Sequence, residues 1–278
     1  MTHTWFITGV NSGFGRQLTE QLLHRGDRVA GTVRRAGSVR DLQDKYGDRF
    51  WVAHLDVTHT PAVRQVVDRA FGELGRIDVV VNNAGYGLFG AAEEVTDEQI
   101  TRILATNLVG SIQVTRAALP HLRTQGGGRL VQLSTYGGQA TNPGASLYHA
   151  SKWGIEGFME SVAKEVAPFG IEVTIVEPGG ARTEFRYDSL RTAAPMPAYD
   201  NTPAAMTRGA GDRGRPSLGD PAKMAARIIA CAEQSPAPER LVLGSDAYRF
   251  LHAALSERLA DVESQAQTAG LTDFTDEP

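Results

Sequence analysis

Seven short apolar runs rich in β-branched residues punctuate this chain: Trp5–Thr8, Val29–Val33, Trp51–Leu55, Val79–Val81, Leu130–Leu133, Val173–Val176 and Leu241–Leu243. Each is too short for a buried helix, and between most of them lies enough chain for a crossover helix. Leu18 and Leu22 fall at helical spacing after Gly15, and Pro61 precedes Val63, Val66, Val67, Ala70 and Leu74 at the same period. Proline suits the first turn of such a helix. Near-continuous runs such as Ile77-Asp78-Val79-Val80-Val81 fit strands covered on both faces, as in a parallel sheet. The pattern predicts an α/β chain: a doubly wound, seven-stranded parallel sheet with helices on both faces, a Rossmann fold forming a single domain over residues 1–278.

The remaining composition narrows the function classes. No stretch approaches the ~18 uninterrupted apolar residues of a membrane span. Met1-Thr2-His3 runs directly into Trp5-Phe6-Ile7 without a charged leader, which predicts a cytoplasmic protein. Cys231 is the single cysteine, so an intrachain disulfide and a thiolate metal cluster within one chain are excluded. The seven histidines show no metal-ligand spacing, and no catalytic metal is expected. A net charge of −4 gives no cationic field for nucleic acid. Periodicity fails over residues 184–220, where Pro195, Pro197, Pro203 and Pro216 alternate with Gly209, Gly211, Gly214 and Gly219; a substrate lid is expected there. Residues 271–278 are too polar to add a core element and are expected to fray.

The first strand opens into Thr8-Gly9-Val10-Asn11-Ser12-Gly13-Phe14-Gly15 and then a helix. Glycines in that position tolerate positive φ, admit a pyrophosphate close to the backbone and leave helix N–H groups for the anion. The candidate cradle is Gly9, Asn11, Ser12, Gly13, Phe14 and Gly15. At the end of the second strand, where an acidic residue would favour NAD, the chain reads Val33-Arg34-Arg35. Two guanidinium groups suit a 2′-phosphate, so NADP(H) is expected over NAD(H).

Farther along, Tyr148 and Lys152 stand four residues apart, with Ser134 upstream. On a helix that spacing sets both side chains on one face. A phenol with a pKa of about 10 is a poor base unless a cation stabilises its anion, and Lys152 is expected to supply that field. His149 points to another face and is not read as a base. Tyr136 lacks a lysine one turn on and is read as a pocket wall.

Taken in order, Thr8-Gly9-x-x-x-Gly13-x-Gly15, Asp56, Asn82-Asn83-Ala84-Gly85, Asn107, Ser134, Tyr148-x-x-x-Lys152 and Pro178-Gly179 with Thr183 resemble the short-chain dehydrogenase/reductase family, in its single-domain branch, from about Thr4 to Leu243. Phe14 between the last two glycines and Gly180 after Pro178-Gly179 are small departures. The resemblance implies that Asp56 and Val57 hold the adenine, that Asn83, Ala84 and Gly85 line its ribose, and that Pro178, Gly179 and Thr183 flank the nicotinamide. It implies Tyr148 as the proton donor, Ser134 as a hydrogen-bond donor to the same substrate oxygen, and Lys152 as a ligand of the nicotinamide ribose. Asn107 would interrupt its helix and support a water chain from Lys152. A homodimer or homotetramer is also implied.

The leading expectation is an NADP(H)-dependent oxidoreductase acting on a secondary alcohol or ketone. Tyr86, Leu88, Phe89, Tyr136, Phe185, Tyr187, Leu190, Met196, Tyr199 and Met206 would form an apolar lining for a lipophilic or ring-containing substrate. Lid arginines Arg186 and Arg191 leave room for a charged group. A non-catalytic NADP(H)-binding sensor, and an epimerase or dehydratase on the same core, are the competing readings.

Overall fold

The computed structural model describes residues 2–184, 189–209 and 217–274. Its strands are β1 (Thr4–Thr8), β2 (Arg28–Val33), β3 (Phe50–His54), β4 (Val79–Asn82), β5 (Gly87–Phe89), β6 (Gly128–Leu133), β7 (Ile171–Pro178), β8 (Leu190–Thr192) and β9 (Arg240–Leu243). All but β5 and β8 join one parallel sheet in the order β3-β2-β1-β4-β6-β7-β9, and its seven members coincide with the seven apolar runs. Register is continuous through the centre: Trp5 pairs with Val29 on one side and Val79 on the other.

Helices α1 (Gly13–His24), α2 (Arg40–Tyr46), α3 (Thr60–Leu74), α4 (Asp97–Leu104), α5 (Gly110–Thr124), α6 (Ser146–Val166), α7 (Pro221–Ala232) and α8 (Ser245–Ser264) complete the chain. Successive strand residues feed opposite cores, as the two-residue period of a pleated strand requires. Trp5, Ile7, Val79, Val81 and Val131 meet Leu18 and Leu22 of α1, Leu42 of α2 and Ile228 of α7 on one face. Phe6, Val80, Leu130 and Ile175 meet Val63 and Val67 of α3, Val114 of α5 and Ile155 of α6 on the other. Burying each large apolar side chain stabilises the fold by about 1.5–3 kcal/mol, so both faces of the sheet contribute. Pro61 lies in the first turn of α3, and Asp220 caps α7 by accepting from the N–H groups of Ala222 and Lys223.

Two features go beyond the sequence reading. Strands β5 and β8 form a second, two-stranded parallel sheet that ties the irregular region to the loop after β4, with Gly87 opposite Leu190. The rest of the described part of that region holds short helical turns at Pro197–Tyr199 and Pro203–Gly209. Among the described residues no helix is long and apolar enough to cross a membrane.

Candidate active site

From β1 the chain builds outward to β2 and β3, then returns to place β4 on the other side of β1. Such a reversal leaves a crevice at the carboxyl ends of the strands. Thr8 joins its walls: its Oγ1 accepts from the N–H groups of Asn83 and Ala84, both at 3.0 Å. The Asn83 amide donates back to the carbonyls of Thr8 (2.8 Å) and Gly9 (3.0 Å). Asn83 therefore borders the cleft but uses its amide nitrogen to fasten the two turns together.

Gly9 has φ of +75°, a left-handed backbone that a side chain would strain. A Cβ on Gly15 would collide with the Gly9 carbonyl oxygen and the Asn83 amide, so only glycine lets α1 begin this close to the sheet. Ser12 makes no side-chain cap, and the first turn of α1 carries no acidic residue. The leading N–H groups and the positive end of the helix dipole are thus available to an anion. These residues fit a dinucleotide pyrophosphate.

The crevice widens into a cleft of ≈ 500 Å³. Its walls include Gly9, Asn11, Ser12, Gly13, Phe14, Arg34, Asp56, Val57, Asn83, Ala84 and Gly85 together with Ser134, Tyr148, Lys152, Pro178, Gly179 and Thr183. Gly15, Arg35 and Asn107 are not on its wall. Gly15 acts by close packing, and Arg35 is exposed, its carbonyl accepting from Ser38. Burial pushes the Asp56 carboxyl upward, but hydrogen bonds from the Thr58 N–H (3.0 Å) and hydroxyl (2.7 Å) and the fields of Arg34 and Arg102 leave it below its ordinary value. Arg102 of α4 is a contributor that the sequence reading did not single out.

Asn107 lies in a π-helical turn, Ala105–Val109, between α4 and α5. The interruption expected of it is present. Its Oδ1 accepts from the Tyr86 N–H (3.0 Å), and its Nδ2 donates to the Tyr86 carbonyl (2.9 Å) and to Ser151 Oγ (3.2 Å), which fixes the loop after β4 against α6.

Tyr148 and Lys152 share one face of α6, with the lysine Nζ 5.9 Å from the phenol ring centroid. The expected electrostatic effect is corrected, however. Burial pushes the Tyr148 hydroxyl up rather than down; nearby Tyr136 adds to the rise, and a Thr135 hydrogen bond opposes it. The ammonium donates to the Leu133 carbonyl at 2.9 Å. Burial lowers Lys152 to about 8 against the opposing pull of Glu156. Burial therefore favours the neutral form of the phenol.

His149 is a fastening residue, with Nδ1 2.8 Å from the Gly137 carbonyl and Nε2 accepting from the Asn142 N–H at 3.1 Å. Tyr136 lines the cleft, accepts from the Asn142 amide at 2.7 Å and stacks on Phe250. Tyr86, Phe89, Leu190 and Met206 also line it, with Phe89 edge-on to the Tyr148 ring at 6.0 Å. Leu88, Met196 and Tyr199 do not. Leu88 is in the core, and Met196 and Tyr199 attach the irregular region to the loop after β5: the Met196 N–H donates to Glu94 (2.8 Å) and the Tyr199 hydroxyl to Glu93 (2.9 Å). Arg208 donates to the same Glu94 carboxylate at 2.8 Å. Phe185, Arg186 and Tyr187 lie outside the described residues.

Comparison with known proteins agrees with this geometry. The short chain dehydrogenase family model matches residues 3–193. "Oxidoreductase BOA17" of Botryotinia fuckeliana is 36% identical over 251 residues, 90% of this chain and 92% of that protein. A "3-ketodihydrosphingosine reductase" of Bacteroides thetaiotaomicron is 38% identical over 183 residues, 64% of each chain. The crystal structure of a short-chain dehydrogenase from Streptomyces avermitilis superposes with a TM-score of 0.91 at 38% identity, covering 99% of both chains. With its glycine turn, its Ser134, Tyr148 and Lys152 on one cleft and these matches across most of its length, the chain belongs to the short-chain dehydrogenase family of nicotinamide-dependent oxidoreductases.

Proposed function

We propose that the protein is an NADPH-dependent ketone reductase, with the reverse alcohol oxidation at the same site, and that its substrate is lipophilic or ring-containing. The observation that carries this reading is the convergence of Ser134, Tyr148 and Lys152 on the same cleft that the glycine turn lines. Bound NADPH would supply the hydride. Tyr148, kept neutral by burial, gives its phenolic proton to the substrate oxygen, and Ser134 holds that oxygen by a hydrogen bond. Lys152 holds the ribose hydroxyls on the nicotinamide side. Asn107, fixed between Tyr86 and Ser151, supports the water path that returns a proton to Tyr148. Thr183, Pro178 and Gly179 wall the nicotinamide end.

Phe89, Tyr136, Leu190 and Met206 give the substrate end an apolar surface. The relative named as a 3-ketodihydrosphingosine reductase supports a keto substrate. Purified protein should consume NADPH with at least one member of a panel of steroids, polyketide-like rings, quinones and aryl ketones, read by cofactor absorbance. Tight NADPH binding with no turnover across that panel would instead favour a sensor.

The preference for NADPH rests on Arg34, which lines the adenine end; Arg35 does not reach the cleft. A charge-assisted hydrogen bond contributes about 1.5–3 kcal/mol, so Arg34→Ala is expected to lower the NADPH/NADH ratio of kcat/KM by roughly 10- to 100-fold. An unchanged ratio would remove Arg34 from cofactor selection. Arg35→Ala is expected to leave the ratio within about twofold, as suits an arginine off the cleft wall.

A further inference from the structure

One turn beyond Lys152 on α6, Glu156 reaches Ser134 from behind the cleft. Ser134 Oγ and Glu156 Oε1 share a short hydrogen bond, and Glu156 Oε2 accepts from Arg240 Nη1 at 2.6 Å. Glu156 is 2% exposed and does not line the cleft, so it touches the serine only from the protein side. Gly138 makes room for the contact: a Cβ there would overlap the Glu156 carboxyl and press on Ser134 Oγ.

The surroundings bear on where a proton resides. Glu177 faces Glu156 from β7, Arg240 from β9, and Lys152 and Glu160 from α6 itself. The loop after β6 adds the Ser134 hydroxyl, bonded to Glu156, and the Gln139 amide, bonded to Glu177. Glu177 is fully buried; its Oε1 accepts from Arg240 at 2.8 Å and from Gln139, and its Oε2 has no hydrogen-bond partner among the described residues. Two buried carboxyls thus share Arg240, which also pairs with Glu160. Like charges in a dry site oppose each other's ionisation. Glu177 is bonded only by donors. Glu156 has beside it an oxygen able to accept, that of Ser134. Burial is the largest influence on Glu156 and pushes its carboxyl upward; Glu177 adds to this, against the pull of Ser134 and Arg240.

On the reductase reading above, we propose that Glu156 is a positioning residue that stays protonated and donates to Ser134 Oγ, leaving the serine hydrogen for the carbonyl oxygen of the substrate. A hydroxyl has one hydrogen to give. If Glu156 were ionised, its carboxylate would hold that hydrogen, and Ser134 would present only lone pairs to a developing alkoxide. With Glu156 neutral, the carboxyl O–H points at Ser134 and the serine O–H points into the cleft. No proton is consumed, because Glu156 keeps its own throughout the cycle.

Infrared difference spectroscopy on the NADPH complex tests the proton directly. At about pH 6, well above the ordinary Glu value of ~4.3, a protonated-carboxyl stretch should be present, absent from Glu156→Gln and shifted in Ser134→Ala. Its absence would overturn the proposal whatever the turnover. Kinetics provide a second readout with any panel ketone that the wild type reduces. The Glu156→Gln amide can donate to Ser134 and accept from Arg240, so it should keep kcat within about threefold. Glu156→Leu should lower kcat by roughly 10- to 100-fold with NADPH affinity little changed, the loss expected when an oxyanion-directed donor is misaimed. A glutamine variant as damaged as the leucine variant would also overturn the proposal. A Glu156 band combined with no ketone turnover would defeat the reductase reading while leaving the Ser134 hydrogen direction established.

Discussion

Replacing Tyr148 by phenylalanine is expected to lower kcat by roughly 10²- to 10⁴-fold, the range for losing a positioned proton donor, while NADPH affinity stays within a few-fold. The substitution removes one oxygen from a side chain that packs edge-on against Phe89, and the ring contact survives it. Because burial favours the neutral phenol, wild-type Tyr148 is expected to stay protonated throughout the physiological range. Its deprotonation should therefore not limit ketone reduction on the alkaline side. Stopped-flow single turnovers with bound NADPH isolate the chemical step. A Tyr148→Phe enzyme retaining more than about a tenth of wild-type kcat would assign the proton to another group.

Lys152→Met should have the next largest effect, and it separates function from stability. Loss of the ammonium removes a charged donor, about 1.5–3 kcal/mol, so kcat/KM for NADPH should fall by roughly 10- to 100-fold. In the wild type the same decline should set in as pH rises through about 8, where buried Lys152 loses its charge. Stability runs the other way. The folded pKa lies below the unfolded value of ~10.4, so between the two the unfolded chain binds more protons and rising pH favours the native state. From below pH 8 to above the unfolded value, the wild type should gain up to about 3 kcal/mol relative to Lys152→Met, measured by urea unfolding. A pH-independent difference would mean that Lys152 is not a desolvated ammonium.

Much of this arrangement can be read from the chain because its signals are local. Val79, Val80 and Val81 announce a strand covered on both faces, and they lie at the centre of the sheet. Gly9 and Gly15 carry their steric reason within one turn, and the spacing of Tyr148 and Lys152 gives a shared helix face. What was not legible depends on distant partners. Strands β5 and β8 have three residues each, too short for a period to register, and pair segments as distant in sequence as Gly87 and Leu190. Glu94 reads as a surface acid until Met196 and Arg208 fold back onto it. Glu156 meets Arg240 across 84 residues of sequence; the one local clue was its place one turn after Lys152. Arg34 and Arg35 are adjacent in sequence, yet only the first faces the cleft. The direction of the Tyr148 pKa was misjudged for a related reason: spacing shows that a lysine is near but not that it points at the Leu133 carbonyl, nor that burial outweighs it.

A crystal structure of the NADPH complex tests the central claim most directly. The nicotinamide should lie against Pro178, Gly179 and Thr183, with its C4 facing the Ser134 and Tyr148 hydroxyls and its ribose held by Lys152. A ring seated outside that end of the cleft, or one whose C4 is turned away from both hydroxyls, would contradict the account.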